Sequence, residues 1–444
     1  MKNLPEDFLE HMRRLLSPEE LQRYVAGFGA EYYRGVRVNT LKCSAKKAKA
    51  LLPFEMKRAP FCEEGFYIPF ETQGLGLLPL HRAGAFYAQE PSAMSAVTVL
   101  GVRPGERVLD LCAAPGGKST QIAAELCGKG LLWSNEIVKS RANILLSNIE
   151  RMGVKNAVVS SCRPDRLCAA LSGFFDRVLV DAPCSGEGMF RRDEAAISEW
   201  SAEHSRSCAE RQLAILDSAA EALKDGGTLV YSTCTFSYEE NEGVIERFLS
   251  THSEFELVDC GADFGRRAMG KAVRILPEDG GEGHFAAKLV KKGELCESTS
   301  AFYAVKTPES AAAMKLYDEL FIGRPFGERF EVVGDKVLLL PEAEIPALHG
   351  LGVIRAGLLF GEIKKNRIEP CHALFMAAEP DTLRSSCSLS SNDERLARFY
   401  RGEEIAIDGD LSGFTAVLAD GITTGFGKAV GGTLKNRYPK GLRK

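Results

Sequence analysis

The sequence predicts an α/β protein with a doubly wound parallel sheet at its centre, a small α+β segment before it and a β-containing region after it. Three features carry this expectation. Between about residues 84 and 292, short β-rich runs alternate with longer helical patterns, as strands and their covering helices do in a parallel sheet. The run 107–111 passes through a glycine-containing loop into a helical pattern, the junction that faces a ligand crevice in such sheets. Past about residue 298, the helical spacing gives way to glycine-bounded β-like runs.

The first segment opens with a helical pattern at 18–24 and continues through 35–42, and Pro53, Pro60 and Pro69 keep the strands that follow short. Central strands are expected at 107–111, 131–135, 157–160, 178–181 and 228–232, with helical patterns at 139–152 and 201–223 between them. Asp225-Gly226-Gly227 is expected to end the second helix and turn the chain into the last of these strands. The closing region has β-like runs at 331–340, 357–363 and 414–418. A chain of 444 residues suits roughly three folding units, placed at 1–85, 86–295 and 300–444. There is no fixed-period repeat and no low-complexity tract.

With 45% hydrophobic and 26% charged residues the chain is globular rather than disordered. No segment has the length of charge-free apolar sequence that a membrane span needs, so a cytoplasmic protein without membrane contact is expected, a monomer by default. The 13 cysteines are odd in number and irregularly spaced, which favours reduced thiols over a disulfide framework. Cys43, Cys62 and Cys260 read as small core residues. Adjacent Cys371 and His372 lack a second ligand pair, so no metal site is expected. A net charge of -4 argues against a nonspecific nucleic-acid coat. Two basic clusters stand out: Lys42, Lys46, Lys47, Lys49, Lys57 and Arg58 near the start, and Lys428, Lys435, Arg437, Lys440, Arg443 and Lys444 at the end. Each is either a phosphate-facing patch or a solvated face.

The chemistry concentrates at three strand ends. Leu111-Cys112-Ala113-Ala114-Pro115-Gly116-Gly117-Lys118 lets the backbone approach a ligand, but it is neither a dinucleotide fingerprint nor a phosphate loop. A different nucleoside cofactor fits better, and Glu136 follows the next strand at the distance where a carboxylate grips ribose hydroxyls. Val180-Asp181-Ala182-Pro183-Cys184-Ser185-Gly186 and Tyr231-Ser232-Thr233-Cys234-Thr235 end the two later strands. In a doubly wound sheet these ends share one crevice, so two thiols, a carboxylate and the cofactor loop converge.

These motifs, with Arg37-Val38-Asn39-Thr40-Leu41-Lys42, Tyr87-Ala88-Gln89-Glu90-Pro91-Ser92 and Gly283-His284-Phe285, resemble the Sun/NSUN family of RNA cytosine-5 methyltransferases, most closely its bacterial members of RsmF type that modify 16S ribosomal RNA. The resemblance covers nearly the whole chain. It implies a Rossmann-like S-adenosylmethionine methyltransferase core, an RNA-contacting N-terminal domain, and a PUA-like module within the C-terminal region. RNA would be the substrate, as 16S rRNA or the small ribosomal subunit, and S-adenosylmethionine the cofactor. Carbon 5 of cytosine accepts a methyl group only after covalent attack at carbon 6, which calls for a thiolate. The resemblance gives that role to Cys234. Cys184 would help remove the carbon 5 proton, and Asp181 would bond the cytosine edge near nitrogen 3. Lys118 either supports this site or closes the cofactor loop. By the same resemblance Cys112, Ala113, Ala114, Pro115, Gly116, Gly117 and Lys118 cradle the cofactor, with Glu136 on the ribose and Arg141 beside the pocket; Asp181 also borders it. Arg163 stands where the family has an acidic adenine contact, so either Asp165 substitutes or the contact is lost.

Three rivals remain. A DNA-type cytosine methyltransferase would attack with Cys184, which leaves the Thr233-Cys234 element unexplained. A ribosome-assembly factor using the fold as an RNA clamp has no need of two convergent thiols. A nicotinamide oxidoreductase fails on the glycine pattern.

Overall fold

A computed structural model, which describes residues 4–294 and 308–443 apart from 347 and 366, has a ten-stranded mixed sheet at its centre. The expected boundary at 295–300 and Lys444 lie outside the described residues. Five parallel strands form the middle of the sheet: β1 (Arg107–Asp110), β2 (Leu131–Asn135), β3 (Ala157–Ser160), β4 (Phe175–Asp181) and β5 (Leu223–Thr233). Their spatial order is β3-β2-β1-β4-β5, so the order reverses between β1 and β4. Strand β6 (His284–Lys291) runs antiparallel on β5, and β7 (Val353–Ala356), from the C-terminal region, runs antiparallel on β3.

Both faces of this sheet are buried, which is why its strands read as nearly unbroken apolar runs. Leu109, Trp133, Val178, Val180 and Tyr231 enter the core on one side. Val108, Leu132, Leu179 and Val230 enter the core on the other, at the period of two that strands impose. The helix expected at 201–223 spans Ala202–Ala222, with the Ser201 side chain accepting from the His204 amide at its start. Asp225-Gly226-Gly227 does not separate helix from strand, because β5 already begins at Leu223. The β4–β5 register instead shifts between Phe175 and Arg177, and Gly226 takes φ 73° within the irregular start of β5.

In the N-terminal region helices Glu6–Leu15 and Pro18–Gly27 precede an antiparallel sheet. Its strands lie in the order Lys57–Arg58, Gly65–Tyr67, Gly35–Val38, Phe86–Ala88, so this sheet runs past residue 85. The C-terminal region holds two sheets, one of four strands and one of five. The run 331–340 is a hairpin, Phe330–Val333 with Lys336–Leu339, turned at Gly334 with φ 65°. One apolar cluster joins Val38 and Phe86 of the N-terminal sheet to Leu434 of the last sheet and to Tyr400 and Tyr438 beside it. Cys43, Cys62 and Cys260 are buried as expected.

The basic clusters are less uniform than the sequence suggests. Lys42 donates to the carbonyls of Ala83 (2.9 Å) and Thr423 (3.0 Å), and Lys47 reaches the Gly421 carbonyl. Arg443 donates to the Tyr438 carbonyl. These three tie the chain to itself, whereas Lys46, Lys49, Lys57, Arg58, Lys428, Lys435, Arg437 and Lys440 are exposed. Among the described residues no helix is long and apolar enough to cross a membrane.

His372 packs edge-on against Tyr438, and its Nδ1 is buried without a hydrogen-bond partner among the described residues. Burial, and then Lys42, pull its pKa down to about 3. The folded ring therefore stays neutral while the unfolded chain takes up a proton below about pH 6.5. Stability should fall as pH drops through that window. Comparing urea midpoints at pH 7 and pH 4.5, His372→Phe should be spared about 2 kcal/mol of the loss that the wild type suffers.

Candidate active site

Two cavities open at the carboxyl ends of the parallel strands, where the reversal between β1 and β4 leaves a crevice. The larger, ≈ 710 Å³, is lined by Leu111, Glu136, Ile137, Arg141, Asp165 and Cys184, among others. The smaller, ≈ 390 Å³, is lined by Tyr87, Lys118, Met189, Arg192, Gly283 and His284, among others. Cys112, Ala114, Asp181, Ala182 and Cys234 face both.

The two thiols meet at this wall, with Cys184 and Cys234 Sγ 3.3 Å apart. Cys234, one residue beyond β5, lines both cavities, whereas Cys184 lines only the larger. The contact with Cys234, and then burial, push the Cys184 thiol well above the ordinary cysteine range. Asp181 closes β4, and its carboxylate accepts from Lys118 Nζ at 2.7 Å and from Ser232 Oγ at 2.9 Å. Burial opposes both charges, yet each ion holds the other: Asp181 stays below the usual carboxylate range and Lys118 above that of lysine. The Lys118 charge also interacts with Cys234.

The larger cavity suits a nucleoside. Glu136 sits buried at the end of β2, with Oε1 accepting from the Val138 amide and Oε2 3.2 Å from Arg141. Arg141 also donates to the Ala114 carbonyl. Ile137 and Val138, 57% and 45% exposed, offer an apolar face to a planar ring. Asp165 lines the same cavity, its exposed carboxylate held by Arg163 (3.1 and 2.9 Å). The loop expected to act as one cradle divides between the cavities. Cys112 and Ala114 face both, while Ala113, Pro115, Gly117 and Lys118 face the smaller. Gly116 lines neither; at φ 113° it starts the helix Gly117–Leu126, and a Cβ there would meet Leu145 at 3.1 Å.

Two supports were not foreseen. Glu240, fully buried, accepts from Ser185 N (3.0 Å), Ser185 Oγ (2.5 Å), Ser205 Oγ (2.8 Å) and Gln212 Nε2 (2.8 Å). Gln212 also donates to the Pro183 carbonyl, so the turn carrying Cys184 is tied to the helix beneath it. Arg37, 2% exposed, donates to the Gly117 carbonyl and Thr120 Oγ1, each at 2.7 Å, and to Gln89. Its strand thus braces the glycine loop from the N-terminal sheet. The sequence carried Arg37 and Gln89 only inside matching segments, with nothing to pair them.

Replacing Arg37 with Met should remove the buried guanidinium's bonds to the Gly117 carbonyl, Thr120 and Gln89. Urea unfolding should register a loss of about 2 to 4 kcal/mol. Titration with S-adenosylmethionine should show weaker binding, with Arg37→Lys intermediate in both measurements.

The chain matches the model of the 16S rRNA methyltransferase RsmB/F over residues 97–290 and that of the RsmF N-terminal domain over 4–91. It also matches the RsmF first C-terminal domain over 317–377 and the RsmF PUA domain over 388–444. It is 33% identical over 463 residues to ribosomal RNA small subunit methyltransferase F of Vibrio cholerae serotype O1 (strain M66-2), covering 99% of this chain and 98% of the relative. The same named protein of Klebsiella pneumoniae (strain 342) is 33% identical over 466 residues, covering 99% and 96%. Among solved structures, NSun6 from Pyrococcus horikoshii with SFG is 25% identical with a TM-score of 0.60, over 65% of this chain and 99% of that one. A methyltransferase homolog protein from the same organism is 30% identical with a TM-score of 0.55, over 65% and 100%. SFG is an S-adenosylmethionine analogue, and S-adenosylmethionine is the cofactor. Matched in every region, the chain belongs to the RsmF family of 16S rRNA methyltransferases, enzymes that methylate RNA from S-adenosylmethionine.

Proposed function

We propose that the chain methylates carbon 5 of a cytidine in RNA, in 16S rRNA or the small ribosomal subunit, through a covalent bond between Cys234 and carbon 6. The observation that carries this reading is that Cys234 alone of the two thiols faces both cavities. A base in the smaller cavity meets that sulfur, with the cofactor across the shared wall. Bound there, S-adenosylmethionine would supply an electrophilic methyl group, and Glu136, Arg141, Asp165, Cys112 and Ala114, which line that cavity, would hold it.

The chain's residues carry the remaining steps. Cys234 gives up its proton to solvent water in the open cavity and adds its sulfur to carbon 6, and the electron pair of the 5,6 double bond moves to carbon 5. Lys118, charged beside both Cys234 and Asp181, balances charge that builds on the ring. Asp181, ionised by its pairing with Lys118, is an acceptor and not a proton donor. It therefore accepts from the exocyclic amine of cytosine next to nitrogen 3, where uracil would present a carbonyl that the carboxylate repels. Once carbon 5 carries the methyl group its proton must leave. The pair from that C–H bond rebuilds the double bond as the bond to Cys234 breaks and its sulfur leaves as a thiolate, while the proton passes to a water molecule in the open cavity beside the Cys184 thiol. The extruded base leaves the RNA stack, so the N-terminal and PUA domains grip the surrounding strand.

Methyl transfer from labelled S-adenosylmethionine to small-subunit RNA and particles, with adducts trapped on denaturing gels, tests this reading. Cys234→Ala should lose both product and adduct, with product down more than roughly 1,000-fold. Cys184→Ala should accumulate a covalent RNA complex. An adduct kept by Cys234→Ala and lost by Cys184→Ala would make Cys184 the nucleophile. A wild type that binds RNA and never methylates it would leave only a clamp.

A further inference from the structure

The smaller cavity holds a polar side chain that the steps above do not use. His284 opens β6, is 2% exposed, and lines this cavity beside Asp181, Lys118 and Cys234. Both ring nitrogens are buried, and neither has a hydrogen-bond partner among the described residues. The nearest carboxylate oxygen, Asp181 Oδ1, is 3.9 Å from Nε2, too far for a bond. Two residues earlier, just before the strand, Glu282 also lines the cavity; its Oε1 accepts from the Tyr33 amide and from Arg191, while Oε2 is buried without a hydrogen-bond partner among the described residues.

Such groups are costly. A buried donor or acceptor without a partner forfeits its hydration for nothing, and folded proteins keep few of them outside functional sites. The backbone allows His284 little room to turn away. Gly283 has φ 144°, and a Cβ there would lie 2.6 Å from Phe236 and 3.0 Å from Gly188. A Cβ on Gly188 would in turn meet the carbonyls of Cys234 and Gly283, each at 2.9 Å. Two glycines thus press the turn after Cys184 onto the start of β6 and fix the imidazole at the cavity wall.

We propose that His284 contacts the target base, donating its ring N–H to the O2 carbonyl of cytosine while Asp181 takes the amine edge. This rests on the cytosine reading and deepens it. Addition of sulfur to carbon 6 spreads negative charge over carbon 5, nitrogen 3 and, through the carbon 2 carbonyl, O2. A donor at O2 therefore binds the adduct more strongly than the free base, the condition for speeding the addition. Burial, and then Lys118, pull the His284 pKa down to about 3, so the ring brings one N–H and no charge of its own.

Single-turnover methylation by wild type, His284→Phe and His284→Asn tests the contact, on RNA transcribed with cytidine or with 2-thiocytidine, whose sulfur is a weaker acceptor. His284→Phe should methylate roughly 10- to 100-fold more slowly, with S-adenosylmethionine affinity within about twofold of wild type. It should melt no lower, because the orphaned nitrogens are gone. His284→Asn, which restores a donor, should recover part of the rate. The sulfur substitution should slow the wild type and leave His284→Phe almost unchanged. Equal slowing of both proteins by 2-thiocytidine, or a wild-type rate in His284→Phe, would overturn the proposal. So would a lower rate matched by lost cofactor affinity and a lower melting point in both variants, which would make His284 a packing residue. A wild type that forms no adduct on cytidine RNA would fail the parent reading instead.

Discussion

The half-buried pair of Lys118 and Asp181 is the interaction on which the rest of the site depends. Two charges taken out of water are costly unless each has its partner and its remaining hydrogen bonds. Here the 2.7 Å contact and the Ser232 hydroxyl meet most of that need. The pair links the glycine loop after β1 to the end of β4, across the point where the strand order reverses. Its ions set the character of everything nearby: Lys118 presents positive charge to Cys234, and the same charge helps to keep His284 neutral. Removing either ion would leave the other half-buried and unpaired at the wall shared by the two cavities.

That wall is also held from outside the catalytic sheet. Within one short segment Arg37 bonds the glycine loop, Asn39 donates to the Gly84 and Met152 carbonyls at 2.8 Å, and Lys42 bonds Ala83 and Thr423. Six consecutive residues therefore join the N-terminal sheet to the cofactor loop, to the end of the helix Lys139–Arg151 and to the last sheet. Strand β7 adds a second joint, since it comes from the C-terminal region and closes the β3 edge of the catalytic sheet. An exposed strand edge is thereby paired, and the C-terminal region is joined to the sheet that carries the thiols.

What the sequence made legible follows from how local each signal is. The parallel strands were readable because burial on both faces demands continuous apolar runs, and the site residues because each follows such a run by zero to a few positions. Glu240 escaped notice because its partners, Ser185, Ser205 and Gln212, lie on other elements and only folding assembles them. Lys42 read as part of a basic patch because charge counts do not say where an amine points. Asp225-Gly226-Gly227 read as a helix stop because a positive-φ glycine at a helix end and one in an irregular strand start look alike in one dimension. Arg163, standing where an acid was expected, turned out to hold Asp165 at the same cavity, a pairing two residues apart that sequence alone left open.

The division of labour between the thiols follows from the cavities they face. A sulfur that is to attack a base must reach the base cavity, and one that helps eliminate the product need only stand near carbon 5 at the moment the methyl group has arrived. On the proposed mechanism Cys234, which faces both cavities, would meet the first requirement, and Cys184, 3.3 Å away and facing only the larger, the second. Their environments differ in the same sense. Cys184 is held as a protonated thiol by the neighbouring sulfur and by burial, and its turn is locked to Glu240, while Cys234 adjoins the Lys118 charge. In the proposed mechanism, two cysteines of equal intrinsic chemistry would thus be separated into nucleophile and helper by which cavity each faces and where a single ammonium lies.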